Sequence, residues 1–220
     1  MVKEEQSLSH ANQLSHENRE RASVVMHPDD SGQIKATIHH YLTHDAVNVP
    51  ALISNAKHII VLHAAFYPKY GLDSQGEDLR KALEGNPSLK LTVIFTDAKK
   101  ASWSDEFAVS LRDYFLGRDK FEESVRMTKE YFINLRDKID SERVSILDTA
   151  RLPFFPMILI DNTIIVGHYA HSKIIPPLGF WFTITYPKIH TMYESLLYGR
   201  TPECNREEEA ILRYLEELLV

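Results

Sequence analysis

The chain contains a single cysteine, Cys204, among its 220 residues. A lone cysteine forms no internal disulfide and no cysteine-based zinc site, so the composition predicts an intracellular, cytoplasmic protein without a redox framework. No apolar run approaches the ~18 residues that a membrane-spanning helix needs. The net charge of −6 and the pI near 6.0 argue against general binding to nucleic acid or to an anionic membrane.

Several sequence motifs of cofactor and catalytic sites are also missing. The sequence has no Gly-rich phosphate loop, no Gly-x-Ser-x-Gly elbow and no paired zinc-ligand spacing. The histidines His39, His40 and His44 lie close together but lack the acidic partners of a complete ligand set, and we interpret them as surface residues. We therefore expect neither a metal nor a cofactor.

The length suits one domain with one hydrophobic core. Residues 1–25 are polar and mixed in charge, without the apolar stretch of a signal peptide, and are interpreted as a flexible leader or a frayed helix. Residues 26–220 are expected to form a single domain that ends in helices.

The order of apolar runs is typical of an α/β protein with a mixed sheet sandwiched by helices. Strands are predicted at 33–43 (with a helix as the alternative), 58–66, 89–96, 144–147 and 180–185. Helices are predicted at 47–57, 76–84, 104–115, 121–139, 186–197 and 206–219, and a loop at 67–75. The last helix carries an apolar stripe that either supplies or covers a subunit interface.

The segment 153–186 holds the most informative pattern. Two short β-branched runs, 157–160 and 163–166, are separated by Asp161 and Asn162. Both of these residues tolerate positive φ, so the pattern predicts a tight hairpin. Two histidines and a lysine, His168, His171 and Lys173, follow the second strand, where α/β folds commonly build their sites.

This element order, over roughly residues 33–186, resembles one half of the phospholipase D-like superfamily. The run ISNAKHIIV at 53–61 is similar to the helix that ends in Ala before a strand in that family. The hairpin resembles the core that carries the family signature His-x-Lys, four residues, then Asp, followed by a strand ending in Gly-Ser-x-Asn. With Asp161 aligned to the signature aspartate, Phe154 and Pro156 stand at the histidine and lysine positions. The glycine, serine and asparagine positions of the signature are occupied by Gly167, His168 and Ala170.

The resemblance therefore implies a degenerate half without the nucleophilic histidine and the phosphate-binding lysine. Related domains in some regulatory and sensor proteins share an outline that this chain matches at Pro153, Asp161, Val166, Tyr169, Pro177 and Leu178. Active members with a single half form homodimers, so the resemblance also implies a homodimer.

Four titratable residues are candidates for a site at one edge of the sheet. His63 lies late in strand 58–66, Asp97 directly after strand 89–96, and His168 directly after strand 163–166, with His171 nearby in sequence. If the first and last of these strands are parallel neighbours, the side chains approach each other and form a cleft for an anion or another small ligand. The alternative is that His63 is a buried core residue and His168 a turn residue.

Two further features are open to two interpretations. His171, Ser172 and Lys173 form a His-x-Lys tripeptide, which either binds phosphate or occurs by chance, since Leu178 stands where the signature aspartate would be. Tyr67 lies in a loop of aromatic rings that either stacks on a ligand or packs on the core.

Three functional hypotheses follow. The first is a catalytically inactive binding or regulatory module that recognises a phosphate-bearing or other small ligand through His63, Tyr67, Asp97, His168, His171 and Lys173. The alternative is an enzyme with a relocated site, either a phosphodiesterase that uses His171 and Lys173 or an accessory enzyme of small-molecule metabolism. The third is a structural partner whose role is dimer contact.

Overall fold

The computed structural model describes residues 22–24, 36–41, 44–63, 69–97, 118–151, 155–167 and 180–219. The strands in these ranges are β1 (Ala22–Val24), β2 (Thr37–Tyr41), β3 (Ile59–His63), β4 (Lys90–Thr96), β5 (Val144–Thr149), β6 (Met157–Ile160), β7 (Thr163–Val166) and β8 (Trp181–Thr185). The helices are α1 (Val49–Ser54), α2 (Lys69–Gly85), α3 (Arg118–Ile139), α4 (Ile189–Leu197) and α5 (Arg206–Glu216), and a 3-10 turn spans His44–Val47.

The eight strands form one mixed sheet in the order β1-β2-β8-β7-β6-β3-β4-β5. Strands β3, β4 and β5 are parallel, and all other neighbouring pairs are antiparallel. The prediction of an α/β fold with a mixed sheet and flanking helices is confirmed. Each strand predicted between residues 33 and 185 has its counterpart, and the central strands β3, β4 and β6 are almost wholly buried.

Helices cover both faces of the sheet, and this explains why its central strands are apolar on both sides. One face, here the α1–α3 face, packs Ile60, Leu62, Val93 and Phe95 against residues of α1, α2 and α3. The opposite face, here the α4–α5 face, packs Ile59, Val61, Ile94 and Leu159 against residues of α4 and α5. Side chains alternate between the two faces along each strand, as the extended backbone requires.

Some predicted boundaries were wrong. Helix α2 begins at Lys69, whereas the sequence predicted a loop over 67–75, of which 67–68 lie outside the described residues. The Pro, Gly and Tyr content of 67–75 suggested a loop, but residues 69–75 belong to the helix. Gly76, the first residue of the predicted helix 76–84, serves a packing role inside α2. A Cβ at this position would overlap the phenol of Tyr131 on α3. Glycine therefore allows close approach of two helices here rather than ending one.

The two chain ends also differ from expectation. Residues Ala22–Val24, within the predicted leader 1–25, form strand β1 and pair antiparallel with β2. The apolar stripe of α5 is buried against the sheet of the same chain, with Leu215 and Leu218 at 0 % exposure. That stripe is therefore not available to supply a subunit interface. No helix within the described ranges is long and apolar enough to span a membrane. The predicted helix 104–115 lies outside the described residues.

A buried carboxylate ties α5 to the end of β8. Glu208 and Asn205 form a reciprocal cap, in which each backbone N–H donates to the other's side chain at 3.0 Å. The same carboxylate accepts the Lys188 ammonium at 2.8 Å and the Tyr186 hydroxyl at 2.6 Å. Hydrogen bonds from Lys188 and Tyr186 lower the pKa of Glu208 to about 2.

Glu208→Gln is expected to lower the free energy of unfolding by about 1–3 kcal/mol near neutral pH. A carboxylate whose pKa is lowered on folding stabilises the protein above its unfolded pKa of 4.5 and loses this contribution as the pH falls to about 2. Urea unfolding curves of wild type and variant should therefore converge over that pH range. A difference that stays constant down to pH 2 would contradict this. Glu130→Gln, which removes an exposed partner of Arg126, is the control and should change stability by less than about 0.5 kcal/mol.

Candidate functional site

His63 is the last residue of β3 and lies on the α4–α5 face. Side chains alternate between the two faces along the strand, so the His63 side chain points to the same face as those of Ile59 and Val61. The residue is 7 % exposed. Burial, and secondarily the positive charge of Arg151, lower the pKa of His63 to about 4. The imidazole is therefore neutral near pH 7. Its Nδ1 has no hydrogen-bond partner among the described residues.

Polar residues from β4 and β5 continue this edge of the sheet, here called the carboxyl edge. Thr96 and Thr149 are directly paired in the parallel register and so point to the same face. Both are buried, and the Thr96 hydroxyl, like His63 Nδ1, lacks a partner among the described residues. His63 pairs with Ile94, which places its side chain diagonal to Thr96, within about 8 Å.

Arg151 follows β5 at the same edge. Its backbone N–H donates to the Thr149 hydroxyl at 3.2 Å. Its guanidinium donates to the carbonyls of Glu216 and Leu219, at 3.5 and 3.3 Å, where α5 ends. A cation at this position complements the negative end of the helix dipole. Neither Thr96 nor Arg151 was predicted as a site residue. Thr96 is the last residue of the predicted strand 89–96, whereas Arg151 lies beyond the end of the predicted strand 144–147, since β5 extends to Thr149.

Asp97 follows β4 and its backbone N–H donates to the Thr149 carbonyl at 2.8 Å. It lines a cavity of about 580 Å³ between the strand ends and α3. The charged lining is mainly acidic: the carboxylates belong to Asp97, Asp119, Glu122, Glu123 and Asp148, and the cations to Arg126 and Lys129. Lys129 is paired with Asp148 at 2.6 Å, which leaves the lining predominantly negative. Thr96 also lines this cavity, whereas His63 does not.

The strands that were expected to bring His63 and His168 together are not neighbours. β7, which precedes His168, runs parallel to β3, but β6 lies between them and pairs with both. The two strands nevertheless end at the same edge of the sheet, because His63 pairs with Met157 and Met157 with Val166. His168, His171, Lys173 and Tyr67 lie outside the described residues.

Asp161, at the position of the signature aspartate, has a structural role. It adopts a positive φ of 48° at the β6–β7 turn, as its residue type allows. Its carboxylate accepts the backbone N–H groups of Lys57, His58 and Ile59 at 2.7, 2.8 and 3.0 Å. These bonds anchor the hairpin to the start of β3, at the edge of the sheet opposite His63.

Among the described residues, the remaining histidines show no metal site. His39 and His40 point to opposite faces of β2, and the His40 ring stacks on Phe180 with a centroid distance of 5.4 Å. No group of three or more metal-ligating side chains occurs in the part of the chain that the structure describes. Burial, and secondarily the charges of Glu208 and Glu209, raise the pKa of the Cys204 thiol, which lowers the fraction of reactive thiolate near neutral pH.

No protein-family model and no curated protein matches this sequence. Among solved structures, the chain is similar to TrmBL2, an archaeal chromatin protein, with 8 % identity and a TM-score of 0.43 over 90 % of this chain and 60 % of that chain. It is similar to phosphatidylserine synthase of Haemophilus influenzae Rd KW20, with 11 % identity and a TM-score of 0.44 over 82 % and 42 %. NucT from Helicobacter pylori gives 13 % identity and a TM-score of 0.44 over 74 % and 93 %.

The chain thus spans less than two thirds of the length of the first two proteins. The synthase and NucT are proteins of the phospholipase D-like fold. TM-scores of 0.43 and 0.44 do not assign a family, a ligand or an activity to this chain.

Proposed function

We propose that this chain is a degenerate phospholipase D-like half that binds a small phosphate-bearing ligand without hydrolysing it. The bonding of Asp161 carries this proposal, because its carboxylate is fully engaged with three backbone N–H groups. In the register that the resemblance implies, Phe154 and Pro156 replace the catalytic histidine and lysine. The hairpin then keeps its scaffold role and lacks the groups that perform the family's chemistry.

The ligand is proposed to bind at the carboxyl edge on the α4–α5 face. His63 supports this location because it is buried with an unpaired ring nitrogen beside the positive charge of Arg151. His168, His171, Lys173 and Tyr67 are proposed to complete the site from the segments that follow β7 and β3. The cavity beside Asp97 does not suit a phosphate, because its predominantly acidic lining repels an anion. Asp97 is proposed to accept a hydroxyl of the ligand instead.

The functional unit is proposed to be a homodimer, as the resemblance implies for a single half. With the stripe of α5 buried internally, the interface must involve other surfaces than that stripe. Light scattering during gel filtration measures this directly, and a mass near the 25.4 kDa of one chain would contradict the dimer.

The function is tested by measuring hydrolysis and binding on the same protein. We expect no turnover of bis-(p-nitrophenyl) phosphate, a phospholipid or single-stranded DNA. We also expect a thermal shift with inorganic phosphate or a nucleoside monophosphate that Arg151→Gln abolishes. His58→Gln, at the other end of β3, is the matched control and should keep the shift.

Two results would overturn this function. Turnover that is lost in His171→Ala or His63→Ala would establish the alternative, a phosphodiesterase with a relocated site. A thermal shift that is equal in wild type and Arg151→Gln would place the ligand elsewhere.

A further inference from the structure

Two buried polar groups of the carboxyl edge have no partner among the described residues. They are Nδ1 of His63 and the hydroxyl of Thr96, and their residues are 7 % and 1 % exposed. A buried polar group without a hydrogen bond costs about 1–3 kcal/mol. Since both lie on the α4–α5 face, on neighbouring strands and in diagonal register, one small ligand can satisfy both.

Arg151 supplies the charge at this place. A guanidinium has five N–H donors, and the two bonds that it makes to carbonyls at the end of α5 are long, at 3.5 and 3.3 Å. An oxyanion is a stronger acceptor for these donors than a neutral carbonyl. The guanidinium can therefore bind an anion at little cost to its present contacts.

We infer that the ligand of the carboxyl edge is an oxyanion held by the Arg151 guanidinium and the Thr96 hydroxyl, and that the His63 imidazole takes up a proton as it binds. This inference rests on the proposed function and adds the protonation of the site. The proton comes from solvent and resides on the imidazole, so that both ring nitrogens become donors and the ligand gains a second cationic partner.

The imidazole takes up a proton because a bound oxyanion reverses the two effects that keep His63 neutral. Arg151 repels a proton on the imidazole, and burial removes the water that would stabilise it. A bound oxyanion compensates the charge of Arg151 and solvates the imidazolium through a charge-assisted hydrogen bond. Among the described residues, the other charged groups at the ends of the surrounding elements are Asp97 after β4 and the exposed Glu216 and Glu217 at the end of α5. They carry negative charge and so do not oppose the uptake.

Calorimetry with sulfate tests the inference, because sulfate remains a dianion across the range used and releases no proton itself. We expect the affinity to rise by about tenfold in total as the pH falls from about 7.5 to about 5.5, and most of this rise should come below about pH 6.5, where the imidazole of the complex becomes protonated. In buffers of different ionisation enthalpy at about pH 5.5, about one proton should be taken up per sulfate bound. Inorganic phosphate is titrated in a second experiment. A higher affinity for phosphate than for sulfate would identify a phosphoryl group as the ligand.

The variants separate the inference from the function on which it rests. His63→Gln should bind sulfate with an affinity independent of pH and without proton uptake, while His58→Gln should behave as wild type. If His63→Gln does not fold, an NMR titration of the wild-type imidazole replaces it, and its pKa should rise from about 4 to above 6 with sulfate. Sulfate binding without proton uptake overturns the inference alone, whereas no binding of either anion overturns the proposed function as well.

Discussion

Replacing Asp161 by alanine is expected to lower the free energy of unfolding by about 2–4 kcal/mol. The variant loses three hydrogen bonds to a charged acceptor and leaves the partly buried N–H of Ile59 without its partner. It also forces alanine into a left-handed conformation at φ 48°, which costs about 1–2 kcal/mol for a residue with a Cβ and no local side-chain hydrogen bond. Urea unfolding monitored by circular dichroism measures the loss.

Two control variants separate the contributions to this loss of stability. Asp161→Asn keeps the tolerance of positive φ and one acceptor oxygen, so it should cost less than alanine. Asp137→Ala removes an exposed carboxylate on α3 and should change stability by less than about 0.5 kcal/mol. An alanine variant at Asp161 as stable as wild type would show that the hairpin does not depend on this anchor.

Gly167→Ala is expected to destabilise the protein by about 2–4 kcal/mol, because a Cβ at this position would overlap the indole of Trp181. The indole is 4 % exposed and packs within the core of the α1–α3 face, so a shift of the ring disturbs its packing contacts. The backbone at Gly167 has an ordinary φ, so the cost is steric and not conformational. The midpoint of thermal unfolding should fall accordingly.

Gly85→Ala is the matched control for this overlap. Gly85 is the last residue of α2, and a Cβ there would meet nothing within 4 Å. Alanine at this position should leave stability unchanged or raise it by up to about 1 kcal/mol. Trp181→Phe in the Gly167→Ala background should recover part of the loss, since a smaller ring leaves room for the methyl group. No recovery would mean that the methyl group collides with something other than the indole.

The fold was largely predictable because its central strands are buried on both faces. Runs such as 58–66 and 89–96 leave few alternatives to a covered parallel strand, and β3 and β4 form as expected. The start of helix α2 was predicted wrongly because the Pro, Gly and Tyr content of residues 67–75 is typical of a loop. Only the position of Tyr131 on α3 shows why residue 76 inside this helix is a glycine.

The candidate site was predictable in part. His63 and Asp97 were recognised because they end strands, and both lie at the carboxyl edge. Their separation was not predictable, since His63 packs on the α4–α5 face while Asp97 lines the cavity beside α3. Arg151 was missed because its relevance comes from the position of β5 beside β4, a neighbour relation between distant segments.

The sequence alone determined the kinds of element, the mixed sheet and the tight turn at Asp161 and Asn162, because hydrophobic period and turn chemistry are local properties. Tertiary structure decided what the turn residues do. The Asp161 carboxylate accepts the backbone N–H of His58, which directly precedes β3. The Asn162 side chain accepts the backbone N–H of His190 at the start of α4. Tertiary structure also decided that His63 is neutral, because its burial and the nearby charge of Arg151 arise only when three strands and α5 come together.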